Sequence, residues 1–126
     1  KDLCEAIKTG TTHSKVINLA GQLNFLQSAA LQEKAVMNYV NDSAPLHIAS
    51  AMNARTAAVF LSTVPSFGFG PLGKFSEVIE TKNPDAIRPY GIHGKRKSQI
   101  PANVFMDIYD IDVEQFPIPV VEEETD

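Results

Sequence analysis

The densest chemistry in the chain lies in Asn41-Asp42-Ser43-Ala44-Pro45-Leu46-His47-Ile48-Ala49. A carboxylate, a hydroxyl and an imidazole sit there within a few positions of one another, around a proline that fits the first turn of a helix. If the helix begins at Pro45, the N–H groups of Leu46 and His47 have no intrahelical partner and sit at the positive end of the helix dipole. An anionic phosphate is favoured at such an end. Asp42 can accept hydrogen bonds from sugar hydroxyls, Ser43 can donate to a phosphoryl oxygen, and His47 can donate to either. Those are the groups that a nucleotide sugar asks for. Each residue also has a plainer reading. Asp42 or Ser43 can simply cap the helix, and His47 can be a capping or packing group. The loop at 62–73 can be a plain connector, and Lys95-Arg96-Lys97 a solvated turn. Only the joint arrangement points to a ligand.

The elements that must position these groups follow from the apolar pattern. Residues 2–8 read as the tail of a helix stopped by Gly10, and residues 10–14 as a loop. Val16-Ile17-Asn18-Leu19-Ala20, closed by Gly21, has the pattern of a buried strand. Asn24 with Gln27 three positions on resembles a capping box for a helix to about Glu33. The unit then repeats, with a strand at 35–40, the polar turn at 41–44, a helix from Pro45 to about Asn53, and a charge-free strand at 56–61. This β-α-β-α-β order requires a parallel sheet with helices on its faces, an α/β fold of three-layer, Rossmann-like type. In such sheets the ligand lies at the carboxyl ends of the strands, where Asp42 falls. Beyond Leu61 comes a loop with three glycines and two prolines, then an edge strand at 76–80. Short helices are expected at 103–109 and 112–116, the second capped by Asp110 or Asp112.

Composition bounds the rest. The 126 residues suit one domain, and with 44% hydrophobic residues the chain has material for a core. We divide it into a domain at 1–116 and an acidic tail at 117–126, where Pro117 and Pro119 break regular structure. Of fifteen acids, Glu122, Glu123, Glu124 and Asp126 crowd this tail, and the remaining eleven balance eleven bases, which argues against a nucleic-acid partner. Cys4 has no second cysteine to pair with, which suits a reducing, cytoplasmic setting. No apolar run is long enough to span a bilayer. With three scattered histidines and one cysteine, no metal or other cofactor is expected. The first residue is Lys1 rather than methionine, so the chain is expected to be a piece of something longer.

The run Val40-Asn41-Asp42-Ser43-Ala44-Pro45-Leu46-His47-Ile48-Ala49-Ser50-Ala51, followed by a strand, Ser62-Thr63-Val64-Pro65 and Gly70-Pro71-Leu72-Gly73, resembles the carboxy-terminal half of the ADP-heptose:lipopolysaccharide heptosyltransferases, glycosyltransferase family 9. The resemblance covers 16–73 well and reaches 113 more loosely. It implies one half of a two-domain GT-B enzyme that binds a nucleoside-diphosphate sugar and transfers the sugar, with inversion and without a metal, to a lipid-linked, lipopolysaccharide or other envelope glycan acceptor. The acceptor and the general base would belong to the amino-terminal domain, so this chain alone would be inactive. Peripheral association with the inner face of the cytoplasmic membrane would suit that acceptor. On the resemblance, Asp42 holds the donor sugar, Ser43 and the backbone of Ala44 and Leu46 hold the diphosphate, His47 approaches sugar or phosphate, and Thr63 lines the same cleft.

There are departures from the family pattern. Ala44 stands where many relatives have glycine, which limits how closely a phosphate approaches the backbone. Arg55 stands near a position that is often small and followed by proline. The 90–106 region lacks the cysteines of some relatives, and the lysine that meets the diphosphate has no counterpart. These departures leave two other readings in view: a nucleotide-sugar-binding module that has lost transfer, or an interaction domain that uses the acidic tail.

Overall fold

The computed structural model describes residues 2–83 and 111–119. Three strands, β1 (Asn38–Asn41), β2 (Thr56–Phe60) and β3 (Ser76–Glu80), form a parallel sheet in the order β1-β2-β3. Asn38 pairs with Thr56, and Thr56 with Ser76, so all three strands start level, and β1 ends one residue before the other two. Three helices precede or join them: α1 (Asp2–Gly10), α2 (Phe25–Lys34) and α3 (Ala44–Ala51). The fold is α/β and Rossmann-like, consistent with one half of a GT-B enzyme.

Parallel neighbours need a crossover, and α3 supplies the one between β1 and β2. Its Leu46 is fully buried against Ala58 and Phe60, with Val40 packed on the cluster. Strand alternation therefore puts Val40, Ala58 and Phe60 on the α3 face and Asn41, Ala57 and Val59 on the other. Ala57 and its near neighbour Ile79 are buried as well, so β2 is covered on both faces, as its charge-free sequence requires. α2 lies against α3, tied to it by Gln32 Nε2 donating to the Pro45 carbonyl at 3.2 Å. On the opposite face Tyr39 meets the Phe116 ring, centroids 6.0 Å apart, and its hydroxyl donates to the Pro117 carbonyl.

The chain returns from β2 to β3 across the end of α3. Leu72 N–H donates to Ser50 Oγ at 3.1 Å and Lys74 N–H to Asn53 Oδ1 at 2.8 Å, which brings the backbone back to the level at which β2 began. A single 3-10 turn, Pro65–Phe67, opens this connection and ends at Gly68, whose φ of 89° suits glycine.

Several expectations are corrected. The strand expected at 16–20 is absent. Asn18 instead folds the segment locally: its Oδ1 accepts from Ala20 N–H at 3.0 Å, and its amide donates to Glu5 at 2.9 Å. Such local side-chain bonds compete with a sheet ladder. Ile17 is left 77% exposed, which no buried strand allows. The second expected strand starts at Asn38 rather than at residue 35, because Ala35 closes α2 through its N–H to the Gln32 carbonyl. Helix α3 stops at Ala51, two residues short of Asn53, which adopts φ 49° just beyond the Met52 cap. The helix expected at 112–116 is one 3-10 turn, Val113–Gln115, with Asp112 Oδ1 accepting from Glu114 N–H at 2.9 Å. The helix expected at 103–109 and the Lys95-Arg96-Lys97 cluster lie outside the described residues.

The capping box is present as expected. Asn24 Oδ1 accepts from Gln27 N–H, and Gln27 Oε1 accepts from Asn24 N–H, both at 2.9 Å. Asn24→Ala is expected to cost about 1 kcal/mol of stability, read as a lowered midpoint in urea unfolding. Asn24→Ser, which keeps an acceptor at the cap, should recover most of it.

Candidate functional site

The tips of β1 and β2 bring the site residues together. Asp42 follows the last residue of β1, and its N–H donates to the Val59 carbonyl at 3.3 Å, extending the ladder one step past the strand. Its backbone is thereby fixed at the carboxyl edge of the sheet. Thr63 stands three residues beyond the end of β2, and its Oγ1 donates to Asp42 Oδ2 at 2.5 Å. Both residues are half-buried. Together with Asn41, Val59, Leu61 and Ser62 they line a cavity of about 170 Å³. Pockets for drug-sized ligands run from roughly 300 to 1,000 Å³, so this one suits a sugar-sized group rather than a whole nucleotide sugar.

The other expected site residues lie beside the cavity, not in it. Ser43 is the N-cap of α3, but its hydroxyl makes no cap bond and instead donates to the Asn41 carbonyl at 3.3 Å. Helix α3 starts at Ala44, so Pro45 is its second residue. The expectation of an unpartnered Leu46 N–H is corrected: it donates to the Ser43 carbonyl at 3.0 Å, closing a turn over the cap. The Leu46 side chain is in the core. The Ala44 N–H precedes the first intrahelical bond, and Pro45 has no N–H, so Ala44 carries the backbone donor at this helix start. His47 is exposed in the first turn of α3.

Asn41 and Ser62 were not singled out in the sequence, yet both line the cavity. A signal for Ser62 exists. It stands two residues past the end of β2, as Asp42 stands one past the end of β1, and residues just past parallel strand ends face the ligand crevice.

A wider groove of about 950 Å³ opens at the other end of the strands, between Met37, Arg55, Phe75 and Ile118. It is larger, but it lies at the amino ends of the strands, where open α/β sheets do not bind their substrates. Arg55 and Lys74 both stack on the Phe75 ring there, at 5.5 and 5.6 Å. Among the described residues no three His, Cys, Asp or Glu side chains gather as a metal site, and no helix is long and apolar enough to cross a membrane.

The family model for glycosyltransferase family 9 (heptosyltransferase) matches residues 2–88, a span that holds the three strands, the three helices and the whole cavity. The chain belongs to glycosyltransferase family 9. Family 9 membership assigns it a glycosyltransferase-type function. No curated protein and no solved structure gives a significant match. Within this family-9 segment, Asp42 and Thr63 are joined directly across the tips of two adjacent strands.

Proposed function

We propose that this chain forms the donor-binding half of an inverting, metal-independent glycosyltransferase that moves a heptose-like sugar from an ADP-sugar to a lipopolysaccharide or envelope glycan acceptor. The observation that carries this reading is Asp42, held at the tip of β1 on the rim of a sugar-sized cavity. Its carboxylate accepts hydrogen bonds from the donor sugar's hydroxyls. The diphosphate then extends over the start of α3, where the Ala44 N–H donates to it, the Ser43 hydroxyl exchanges the Asn41 carbonyl for a phosphoryl oxygen, and the helix dipole favours its charge. His47, exposed one turn along, reaches the same diphosphate from the helix side.

In the reaction, an acceptor hydroxyl attacks the anomeric carbon on the face away from the diphosphate. The new C–O bond forms as the old one breaks, and the electron pair leaves with the diphosphate oxygen. The hydroxyl proton goes to a base supplied by the second GT-B half. The protein lowers the barrier by holding the sugar in line and by stabilising the negative charge that grows on the leaving diphosphate. The Ala44 N–H is fixed by the backbone at the start of α3, so little reorganisation is needed there as the charge develops. The acceptor, approached from the second half at the membrane's inner face, completes the cleft.

The reading is tested with the full-length protein, ADP-heptose and a core-truncated lipopolysaccharide. The expected result is release of ADP and addition of one heptose with inverted anomeric configuration, persisting in EDTA. Transfer with retained configuration, loss of transfer in EDTA, or hydrolysis without transfer would overturn it.

A further inference from the structure

We propose that Thr63 is a positioning residue for Asp42, fixing the carboxylate that receives the donor. This rests on the donor-site reading given above. Thr63 lies 21 positions from Asp42 in the chain and on a different strand end, yet its Oγ1 donates to Asp42 Oδ2 at 2.5 Å. A carboxylate on a strand tip has two soft torsions and, when half-exposed, would sample several rotamers. Backbone pairing to Val59 fixes the Cα of Asp42 but not its carboxyl plane. The Thr63 hydroxyl supplies that missing restraint. It engages Oδ2 and leaves Oδ1, with the remaining lone pair of Oδ2, to accept from sugar hydroxyls.

Position explains why Thr63 can hold this contact. The chain leaves β2 at Phe60, whose fully buried ring anchors it to Leu46 under the sheet tip. The 3-10 turn that starts at Pro65, whose own φ is fixed, anchors the other side. The hydroxyl therefore sits between two anchored points, and its β-branched side chain has few rotamers to lose. A serine there would keep the donor, whereas valine would keep the shape and lose it.

The test uses the full-length protein and ADP-heptose, with affinity read by calorimetry and the Asp42 carboxyl carbon followed by ¹³C NMR. Thr63→Val is expected to weaken ADP-heptose binding roughly tenfold, the cost of ordering on binding a carboxylate that the lost bond no longer holds. It should also move the Asp42 carboxyl resonance while the protein stays folded. Thr63→Ser is expected to recover most of the affinity and the resonance position. If Thr63→Val binds within twofold of wild type while Asp42→Asn does not bind, Thr63 does not position Asp42 and the proposal falls alone. If Asp42→Asn also binds normally, the donor-site reading itself has failed and takes the proposal with it. A Thr63→Ser variant as weak as Thr63→Val would also overturn the hydroxyl's role.

Discussion

Asp42→Ala in the full-length protein is expected to lower kcat/KM for sugar transfer at least a hundredfold, about 3 kcal/mol, the upper range for hydrogen bonds to a charged group. The carboxylate stands at the rim of the cavity and is half-buried, so its removal opens no hole in the core. The backbone bond from residue 42 to Val59 survives the substitution, and the strand tip keeps its place. Folding should therefore be nearly unaffected, and the loss should fall on the step that orients the sugar. Steady-state kinetics at varied donor concentration, alongside thermal melting, separate the two. A variant with full turnover would reject the role of Asp42, and one that is inactive but unfolded would show a structural role instead.

Phe60→Ala is expected to remove about 3–5 kcal/mol of stability, a large share of the roughly 5–15 kcal/mol that a domain possesses. Phe60 is the largest fully buried side chain among the described residues, and it joins the two elements that carry the site. It packs on Leu46 of α3, with Ala58 beside it on β2. Truncation leaves a cavity that small neighbours such as Ala58 cannot fill by moving. Phe60→Leu, which keeps most of the volume, should cost much less. Denaturant unfolding of the full-length protein measures both, and a Phe60→Ala loss under 1 kcal/mol would contradict this account of the core. The consequence for the site is indirect: slackening between α3 and β2 lets Asp42 and Thr63 drift apart.

What the sequence makes legible is what short-range chemistry dictates. The capping box at Asn24 and Gln27 needs only three intervening bonds of helix, and it is there. The edge strand at Ser76–Glu80 and the charge-free strand starting at Thr56 are both in place, because branched apolar residues and, in β2, unbroken burial are written into a few consecutive residues. Residues 16–20 show the limit. Val16-Ile17 and Leu19-Ala20 have a strand's composition, but a strand exists only with a partner, and Asn18 gives the backbone a cheaper local bond. Asn53 shows another. Its αL conformation ends the chain's helical course, which a polar residue tolerated in a helix does not announce.

The candidate site divides in the same way. Asp42 and Ser43 could be placed at a strand end from the Asn-Asp-Ser-Ala-Pro run itself, since proline early in a helix marks the boundary. The bond between Thr63 and Asp42 could not be derived so, because it depends on the register Asn41 to Val59 across two strands and on the path of the connection after Phe60. Likewise the Leu46 N–H is consumed by Ser43 because the helix begins one residue earlier than proline alone suggests. Periodicity cannot resolve a single residue at a helix start.

The central claim is that the tips of β1 and β2, and not the groove at their opposite ends, receive the donor. The most direct measurement is the backbone amide spectrum of the ¹⁵N-labelled full-length protein titrated with ADP-heptose to millimolar concentration. The account predicts saturable shifts at Asn41, Asp42, Ser43 and Ala44 and at Ser62 and Thr63, with Arg55, Lys74 and Phe75 unmoved. Shifts gathered around Arg55 and Phe75, with none at Asp42, would contradict it.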